Sequence, residues 1–440
     1  MLRLRRALPL ALGICAGLSS GCGGPKLRAD GPRPAAGPAE ACVAAFQGWR
    51  RCGQLDNGLV RASVVPQVGG RTLEYSLGGY NYLFLGKDEA GKAPAAEGAE
   101  GRYRHFGGQF AQLHPEDRWA TVRSGYPPEL FMGRYELHPP TVDAGTACVE
   151  LASPVDLATG TRIVRRVELF PHSTRLRITD TLTNVRLVPQ EWGIEAVLQL
   201  KGVSNPDGLV RREDSPRGDI ALHVPLNRKS RFKGGVRFTL GGPSAFEAKA
   251  GLLSLQYRRR FGKAELDPAL PWIVFVDSAS GHVFVQKCAT PEKAILSAGG
   301  AFAPYPFIEV QCFGKVAKLA PGESTSLVQE WYAARCPDPV VDVTEAGVVS
   351  APLSLLRGEG RTWVAGTFGV FALGRAAVVF QGADGKELSR LDCGDVTPLE
   401  PFVLNRVVDM PAGTARVTLD IRDAAGNPLG NLGTIDLPAR

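Results

Sequence analysis

The sequence lacks the short motifs that mark most metal, phosphate and nucleophile sites. Beyond the first 21 residues no GxSxG pattern occurs, and the chain has no HExxH, no P-loop and no CxxC pair. No later apolar run reaches the ~18 residues that a membrane-spanning helix needs. We therefore expect no cofactor, no cysteine-based metal site and no membrane span after the N-terminal segment.

Long helices are disfavoured as well, because 52 glycines and 33 prolines interrupt the chain. The segments between them alternate apolar and polar residues with period two, as in RIVRRVELF (162–170) and TRLRITDTLTN (174–184). Turn residues separate these runs, for example NPDG at 205–208. The sequence predicts an all-β protein with many short strands in stacked sheets.

The N-terminus has the order of a secretory signal. A basic stretch with Arg3, Arg5 and Arg6 precedes the apolar segment ALPLALGICAGL, and small residues lead to Cys22. Residues 1–21 look like a bacterial lipoprotein signal, with Cys22 as the lipidated first residue of the mature chain; the alternative is an ordinary cleaved signal. We expect a bacterial cell-envelope protein, lipid-anchored at the outer membrane or the periplasmic face.

The rest of the chain divides by composition. Residues 22–50 are rich in proline, glycine and alanine and predict a flexible tether, in which we interpret residues 38–52 as one short helix. Strand-type sequence fills residues 51–335. Prolines and aspartates then indicate a linker, and residues 338–440 resume the strand pattern. Their length and turn spacing fit a small immunoglobulin-like β-sandwich.

Charge and cysteine content narrow the partners and the cross-links. The formal charge of +7 falls to +4 without the three signal arginines, and no long basic block occurs, so we expect no nucleic-acid partner. An oxidising compartment permits disulfides. Cys42 with Cys52 is the most local pair, and Cys288 with Cys312 would join neighbouring strands. The pairing and the oligomeric state stay open.

Four segments stand in an order that occurs in a known superfamily. They are DNGLVRASVVPQVGGRTLEYSLGGYNYLF (56–84), FGGQFAQLHPEDRW (106–119), TDTLTNVRLVPQEWGIEAVLQL (179–200) and FIEVQCFGKVAKLAPGESTSLVQEWY (307–332). Together they resemble the galactose-mutarotase-like superfamily, of the aldose 1-epimerase type, in a bacterial lipoprotein branch. The resemblance implies a two-layered β-supersandwich curved around a carbohydrate-sized cleft. A proline and a glycine-bearing turn return its opening strand across the sheet.

The same resemblance implies an altered site. Members of the superfamily open the sugar ring with a glutamate base and a histidine acid. The base corresponds to Glu309, in IEVQ, whereas Trp192 stands where the acid histidine is expected. The acid is therefore absent or has moved. This implies a degenerate cleft that binds carbohydrate, and it favours binding over catalysis.

Further candidates come from residue chemistry around these segments. We expect a substrate-binding set of six side chains, namely Arg71, His105, Gln109, His114, Glu191 and Trp192. His105 or His114 would replace the missing acid, since histidine titrates near neutral pH; the alternative is a surface position. The planar fork of Arg71 suits hydroxyls or the carboxylate of an acidic sugar; the alternative is a contact to a loop carbonyl.

Tryptophans and glutamates complete the candidates. Trp119, Trp192 and Trp272 offer flat apolar faces for a pyranose, and the alternative for each is a place in the core. Glu191 and Glu195 lie four residues apart on a predicted strand and therefore share a face. With Glu309 they would form an acid/base set, unless they are simply exposed to solvent.

Three functions follow from these patterns. The first is an exported, lipid-anchored carbohydrate-binding protein with a degenerate mutarotase-type cleft. The second is a sugar epimerase or polysaccharide lyase-like enzyme with Glu309 as base. The third is a structural envelope lipoprotein without a small ligand, which predicts a cleft filled by apolar side chains and an exposed apolar patch on the C-terminal domain.

Overall fold

The structure is a computed structural model, and it describes residues 37–94, 104–118, 128–240, 245–249, 251–258, 261–267, 272–288, 292–298, 305–358 and 361–438. The predicted signal peptide, Cys22 and Trp119 lie outside these residues. The predicted all-β class is confirmed, since β-strands dominate the described chain. The one α-helix among the described residues is a single turn, α1 (Pro128–Phe131).

The strands up to residue 335 build the larger part of the fold. They are β1 (Glu40–Phe46), β2 (Trp49–Asp56), β3 (Val60–Val65), β4 (Arg71–Leu77), β5 (Tyr80–Asn81), β6 (Leu85–Gly86), β7 (Gly108–His114), β8 (Glu136–Leu137), β9 (Thr141–Asp143), β10 (Thr146–Ala152), β11 (Thr161–Leu169), β12 (Leu176–Asn184), β13 (Gln190–Lys201), β14 (Leu209–Val210), β15 (Ile220–Pro225), β16 (Arg237–Leu240), β17 (Phe246–Lys249), β18 (Leu252–Gln256), β19 (Gly262–Leu266), β20 (Ile273–Asp277), β21 (His282–Cys288), β22 (Lys293–Ala298), β23 (Phe307–Phe313), β24 (Ala317–Leu319) and β25 (Ser324–Arg335).

Two large sheets stack face to face. The first sheet has 12 strands in the order β1-β2-β3-β4-β7-β13-β23-β22-β19-β16, with β5 beside β4 and β24 beside β13. The second sheet has 11 strands in the order β17-β18-β15-β20-β21-β25-β12-β11-β10-β8, with β9 beside β10. Side chains from both sheets form one buried apolar core between them. This is the two-layered sandwich that the alternating strand pattern predicts.

The C-terminal strands form two smaller sheets. They are β26 (Asp342–Val343), β27 (Gly347–Gly358), β28 (Arg361–Val370), β29 (Gly374–Gln381), β30 (Glu387–Val396), β31 (Phe402–Val408), β32 (Arg416–Arg422) and β33 (Pro428–Asp436). The sheet orders are β26-β27-β28-β31 and β30-β29-β32-β33, and the two sheets enclose a separate apolar core. All described residues belong to one compact unit, so the division into two domains stays a prediction.

The short helix predicted over residues 38–52 is wrong. This segment forms the antiparallel hairpin β1–β2, which extends the edge of the first sheet. Its turn consists of Gln47 and Gly48, both with positive φ, as two-residue hairpin turns require. Pairing with the sheet outweighs the helix propensity of the alanines. The predicted tether over residues 22–50 is therefore too long, because residues from Glu40 onward belong to the sandwich.

The double glycine after β3 has a steric explanation. Gly69 and Gly70 adopt φ of +77° and +60°, the left-handed region that glycine tolerates. A Cβ on Gly69 would lie 2.2 Å from the Phe131 carbonyl oxygen, and one on Gly70 would lie 2.6 Å from the Tyr135 ring. The turn therefore packs directly against residues 131–135. It places Arg71 at the first position of β4.

A buried ion pair connects the second sheet to this turn. Arg165 on β11 and Asp180 on β12 face each other across the two strands and are both shielded from solvent. Arg165 donates from Nε and Nη2 to the two Asp180 carboxylate oxygens, at 2.8 and 3.1 Å. Its Nη1 also donates to the carbonyl oxygens of Gly70 (3.0 Å) and Gln109 (3.1 Å). One side chain thus joins β11, β12, the glycine turn and β7.

Neither predicted disulfide is formed. In the β1–β2 hairpin Cys52 pairs with Ala44, not with Cys42, so the two cysteines are diagonal neighbours. Cys288 and Cys312 lie on different sheets rather than on neighbouring strands, and their thiols contact each other within the core. Within the described residues, no helix is both long and apolar enough to span a bilayer.

The C-terminal sheets pack directly against the larger sandwich. Phe371 and Tyr332 place their ring centroids 4.6 Å apart, and the Phe371 carbonyl oxygen accepts from the Thr174 backbone N–H at 2.8 Å and from its hydroxyl at 3.1 Å. Val283 and Val285 on β21 share a buried apolar cluster with Val348 on β27. The contact is therefore a packed core with hydrogen bonds across it.

We expect Arg165→Met to lower the free energy of unfolding by about 3–5 kcal/mol, because it leaves the Asp180 carboxylate buried without its partner. Denaturant unfolding measures this change. Arg166→Met is the matched control, since Arg166 is the next residue on β11 and its ion pairs are half-exposed, so it should cost less than about 1 kcal/mol. Equal losses in the two variants would contradict the structural role of the buried pair.

Candidate functional site

The alternation of side chains along β13 creates two different faces. Trp192, Ile194, Ala196 and Leu198 point into the core between the two sheets. The residues between them therefore point to the opposite face of the first sheet, where Glu195 is fully buried and Gln199 is almost fully buried. This opposite face is called the outer face below. A polar strand face that is shielded from solvent is unusual, since buried polar groups need partners.

The neighbouring strand β23 supplies those partners. Gln199 pairs with Glu309 in the strand register, and its Nε2 donates to Glu309 Oε2 at 2.8 Å. Gln311, two residues further along β23, donates from Nε2 to Glu195 Oε1 at 2.8 Å. The carboxylate–amide row denotes these four residues, Glu195, Gln199, Glu309 and Gln311. It alternates acids with amides on two central strands.

Polar residues continue on both sides of the carboxylate–amide row. Glu309 pairs with Ser297 on β22, and Ser297 pairs with Lys263 on β19. On the other side, Gln112 on β7 pairs with Glu195 and donates to Glu116 Oε1 at 3.3 Å. The outer face therefore carries polar side chains across five adjacent strands of the first sheet.

Two oxygen atoms in the carboxylate–amide row have no hydrogen-bond partner among the described residues. They are Oε2 of Glu195 and Oε1 of Gln311, and both are buried. An unpaired buried acceptor is costly, typically by about 1–3 kcal/mol. Gln311 Oε1 is therefore placed to accept a hydrogen bond from a bound hydroxyl group, and Glu195 Oε2 is placed to accept one when ionised or to donate one when protonated.

The acids of the carboxylate–amide row hold their protons more tightly than ordinary carboxyl groups. Burial raises the pKa of Glu195 to about 8, and the charges of Glu116 and Glu309 add to this rise. Burial also raises the pKa of Glu309, although the Gln199 hydrogen bond and the Lys263 charge oppose the change. Glu195 is thus protonated at neutral pH and can act as a hydrogen-bond donor or an acid.

Arg71 and Glu309 are electrostatic neighbours. The Arg71 charge acts to lower the pKa of Glu309. Arg71 itself is fully buried, donates from Nη1 to the Gly107 carbonyl oxygen at 3.0 Å and lies 3.7 Å from the centre of the Phe110 ring. The loop-carbonyl alternative for Arg71 is therefore present in the structure, and Arg71 supplies positive charge near the site from a buried position.

The two histidines lie at different ends of β7. His114 pairs with Gly193 beyond Glu195, and its ring centroid is 4.9 Å from that of Phe313. Burial and the Lys293 charge lower the pKa of His114 to about 4. His105 precedes the double glycine at 107–108, next to the rings of Tyr305 and Phe307. Burial lowers the pKa of His105 too, so a lowered pKa favours the neutral form of both histidines.

Three expectations about binding residues are corrected by the structure. Trp192 is not a platform on the cleft, because its even-numbered position on β13 directs it into the core. Gln109 shares its strand face with Ala111 and Leu113, which belong to the same core, so it does not lie on the outer face. Trp272 packs in the apolar cluster between the larger sandwich and the C-terminal sheets.

Glu191 lies on the same strand face as Glu195 but outside the buried row. It is exposed, and its Oε2 accepts from Arg118 Nη2 at 2.6 Å, which lowers its pKa. Gly193, between Glu191 and Glu195 on β13, leaves no room for a ligand, since a Cβ there would lie 2.9 Å from the Lys315 carbonyl oxygen. A ligand on the outer face would therefore contact residues beyond Gly193, from Glu195 onward.

The amides Gln112, Gln199 and Gln311 are the residues that sequence reasoning missed. Each is two or four residues from a singled-out glutamate or histidine on the same strand: Gln112 from His114, Gln199 from Glu195 and Gln311 from Glu309. Applying the period of two to these strands would have placed them on the same face. No group of His, Cys, Asp and Glu among the described residues has the arrangement of a metal site.

A separate open pocket of about 590 Å³ lies elsewhere on the molecule. The segment 202–220 forms most of its wall, together with Lys87 and Ala279. Its charges are mixed, since Arg211 and Arg217 face the same space as three aspartates of the segment. None of the site residues expected from the sequence lines this pocket.

No protein-family model and no curated protein matches the chain. Solved structures do. The Slr1438 protein from Synechocystis is similar at 14% identity and a TM-score of 0.44, over 66% of this chain and 98% of that one. A galactose mutarotase-like protein from Clostridium acetobutylicum is similar at 11% identity and a TM-score of 0.43, over 68% and 98% of the two chains. A galactose mutarotase-like protein from Lactobacillus casei matches at 14% identity and a TM-score of 0.43, over 64% and 99%. Two of the three carry the name of the superfamily that the sequence resembles.

Glu195→Gln should raise the free energy of unfolding above that of the wild type at pH 8 and leave it nearly unchanged at pH 5. The folded pKa of Glu195 (about 8) lies above its ordinary value of 4.5, so the folded state binds more protons than the unfolded state between these values. The free energy of unfolding of the wild type therefore falls as pH rises through this window, by at most about 1.4 kcal/mol per pH unit.

Thermal unfolding of the variant and the wild type at both pH values measures the difference. The amide keeps the shape of the side chain but binds no proton, so the gain should appear at pH 8 and vanish near pH 5. Glu191→Gln is the control, because that carboxylate is exposed. A gain in stability that is the same at both pH values would contradict a raised pKa of Glu195 in the folded protein.

Proposed function

We propose that the outer face of the first sheet binds a saccharide or a sugar-containing polymer through the carboxylate–amide row. The observation that carries this proposal is the pair of buried oxygen atoms without a hydrogen-bond partner among the described residues, Glu195 Oε2 and Gln311 Oε1. Sugar hydroxyls both donate and accept, so they can pair with the Gln311 oxygen and with Glu195 in either protonation state. Carboxylates and amides on a rigid sheet also keep their geometry before the ligand arrives, which reduces the entropy lost on binding.

Two further features support a neutral, hydroxyl-rich ligand. Lys263 and Arg71 are the cations that act on the buried acids, and both oppose the raised pKa of Glu309. The positive charges of Lys263 and Arg71 therefore compensate the acids of the carboxylate–amide row, so the ligand need not carry a charge to bind its polar atoms. The structural-protein alternative expects a cleft filled by apolar side chains, whereas polar side chains occur here on five strands, beside the buried apolar residues Phe110 and Val197 of the same face.

The binding proposal is tested with a glycan array followed by calorimetry on the best ligand. Gln311→Ala and Glu309→Gln should each weaken the affinity about tenfold or more, since each removes a hydrogen bond that involves a charged or buried group. Glu191→Gln, on the same strand but outside the buried row, should leave the affinity unchanged. No binding of any glycan at high concentration would contradict the proposal.

A second candidate function is interconversion of sugar anomers by the two acids of the carboxylate–amide row. Its specific support is that burial keeps Glu195 protonated at neutral pH, whereas Glu309, whose pKa burial also raises, has the Gln199 hydrogen bond and the charges of Lys263 and Arg71 to favour its charged form. Glu309 would take the proton of the anomeric hydroxyl while Glu195 gives its proton to the ring oxygen, which opens the ring; closure reverses both transfers. This assigns the acid role to Glu195 in place of the histidine that the resemblance leads one to expect.

Anomer exchange of D-galactose and D-glucose, followed by nuclear magnetic resonance, tests this second candidate. The wild type should accelerate exchange, and Glu309→Gln and Glu195→Gln should each slow the catalysed rate by about 100-fold or more. Glu191→Gln again serves as the control. Exchange at the uncatalysed rate, in a protein that still binds sugar on the array, would leave binding as the function and exclude catalysis on these hexoses.

The sequence prediction of export extends to a proposed location. We propose that the mature chain begins at lipidated Cys22 and works at the bacterial cell envelope, where glycans are at hand. The basic and apolar segments before Cys22 support this. The mass of the N-terminal peptide of the mature protein decides it, because a lipid on Cys22 adds the mass of its acyl chains.

A further inference from the structure

Two neighbouring loops, one within the second sheet and one that joins the second sheet to the first, expose large apolar side chains at one end of the sandwich. They are the β10–β11 loop, residues 153–160, and the β12–β13 loop, residues 185–189. Leu187 is 93% exposed and Leu157 is 83% exposed. Val155, Val185 and Val188 are each more than one-third exposed. These five residues are called the apolar tip.

The apolar tip is held in place by hydrogen bonds. Arg186 Nη2 donates to the carbonyl oxygens of Leu157 (3.1 Å) and Ala158 (2.5 Å), and so ties the two loops together. The Val185 backbone N–H donates to the Gly160 carbonyl oxygen at 2.9 Å, and Asn184 Nδ2 donates to the Val188 carbonyl oxygen at 2.9 Å. The loops are thus fixed with their leucines pointing into solvent.

Charge is almost absent from the apolar tip. In residues 153–160 and 185–189 the charged side chains are Asp156 and Arg186. Asp156 is fully buried and accepts from the Thr159 backbone N–H at 2.6 Å, so Arg186 is the exposed charge. Projecting aliphatic side chains with one exposed cation suit the boundary between lipid headgroups and acyl chains. A negatively charged lipid surface would also attract the arginine.

The segment between the proposed lipid anchor at Cys22 and the start of the described chain is long enough for the apolar tip to touch the membrane that holds the anchor. The described chain starts at Gly37, which donates to the Asn57 carbonyl oxygen beside residues 170–173, at the end of β11 and β12 opposite the tip. The nine residues of β11 cover about 30 Å at ~3.3 Å per residue. The 15 steps from Cys22 to Gly37 span at most about 50 Å when extended.

We propose that the apolar tip is a membrane-docking surface that inserts Leu157 and Leu187 into the interface of an anionic lipid bilayer. Docking would fix the orientation of the sandwich on the membrane. The proposal does not rest on sugar binding, because neither loop contains a residue of the carboxylate–amide row, although the β12–β13 loop leads into β13, which carries Glu195 and Gln199.

Hydrogen–deuterium exchange of the mature full chain on phosphatidylethanolamine–phosphatidylglycerol vesicles tests the proposal. We expect the amides of residues 154–160 and 185–189 to exchange about tenfold more slowly on vesicles than in solution, because insertion shields them from water. The exposed hairpin at 382–388 of the C-terminal sheets is the internal control and should not change. Unchanged exchange of both loops on vesicles would overturn the proposal.

Variants distinguish vesicle binding through the apolar tip from non-specific hydrophobic adsorption. In a Cys22→Ala background, Leu157→Ser with Leu187→Ser should remove this slowed exchange and lower vesicle binding about tenfold, since two buried leucines are lost from the lipid. Leu356→Ser with Val403→Ser is the matched control, because both residues are exposed on the C-terminal sheets. Equal losses in the two pairs, or protection of the loops that only a protein partner produces, would overturn the membrane assignment.

Discussion

The buried contact between Arg165 and Asp180 is the interaction on which the architecture depends. The Arg165 guanidinium makes four hydrogen bonds to three groups: two to the Asp180 carboxylate on the adjacent strand, one to the Gly70 carbonyl of the glycine turn and one to the Gln109 carbonyl of β7. The ion pair itself joins two strands of the second sheet, whereas the hydrogen bonds from Arg165 to the Gly70 and Gln109 carbonyl oxygens reach the first sheet and, being directional, fix how the two sheets stack. The position of β7 then fixes Gln112 beside Glu195, so the site depends on a contact made on the other side of the same sheet.

The site illustrates how one strand serves two purposes. The even-numbered residues of β13 supply the core that holds the sheets together, and the odd-numbered Glu195 and Gln199 supply a buried acid and a buried amide. Burial is unfavourable for a carboxylate, and it is also what makes Glu195 retain a proton at neutral pH. The same shielding from water strengthens each hydrogen bond that the row makes, which is the condition under which a few polar atoms can select a ligand.

The sequence was sufficient for the strands, because a period of two is visible in any short segment such as β11 or β12. The resemblance also predicts Glu309 as a site residue, and Glu309 lies on the outer face beside Gln199, while its role stays a prediction. Sequence reasoning failed where the answer depends on which face of a strand meets the core. Trp192 and Gln109 were assigned to the cleft, yet their parity relative to the core directs them inward. The β1–β2 hairpin was missed for a related reason: an alanine-rich segment pairs only because a sheet edge is present to receive it. Cys288 and Cys312 meet across layers, a relation that no spacing in the chain reveals.

The packed contact between Phe371 and the Thr174–Tyr332 region has a consequence for how the chain behaves as a whole. Because β21 and β27 contribute to one apolar cluster, removing the last hundred residues would expose an apolar surface on the larger sandwich. The C-terminal sheets are therefore better regarded as a fixed cover of the larger sandwich than as a module that a flexible linker connects to it. The two parts should therefore unfold together. A transfer of the C-terminal part to another protein during evolution would require another cover for the apolar surface that it leaves behind.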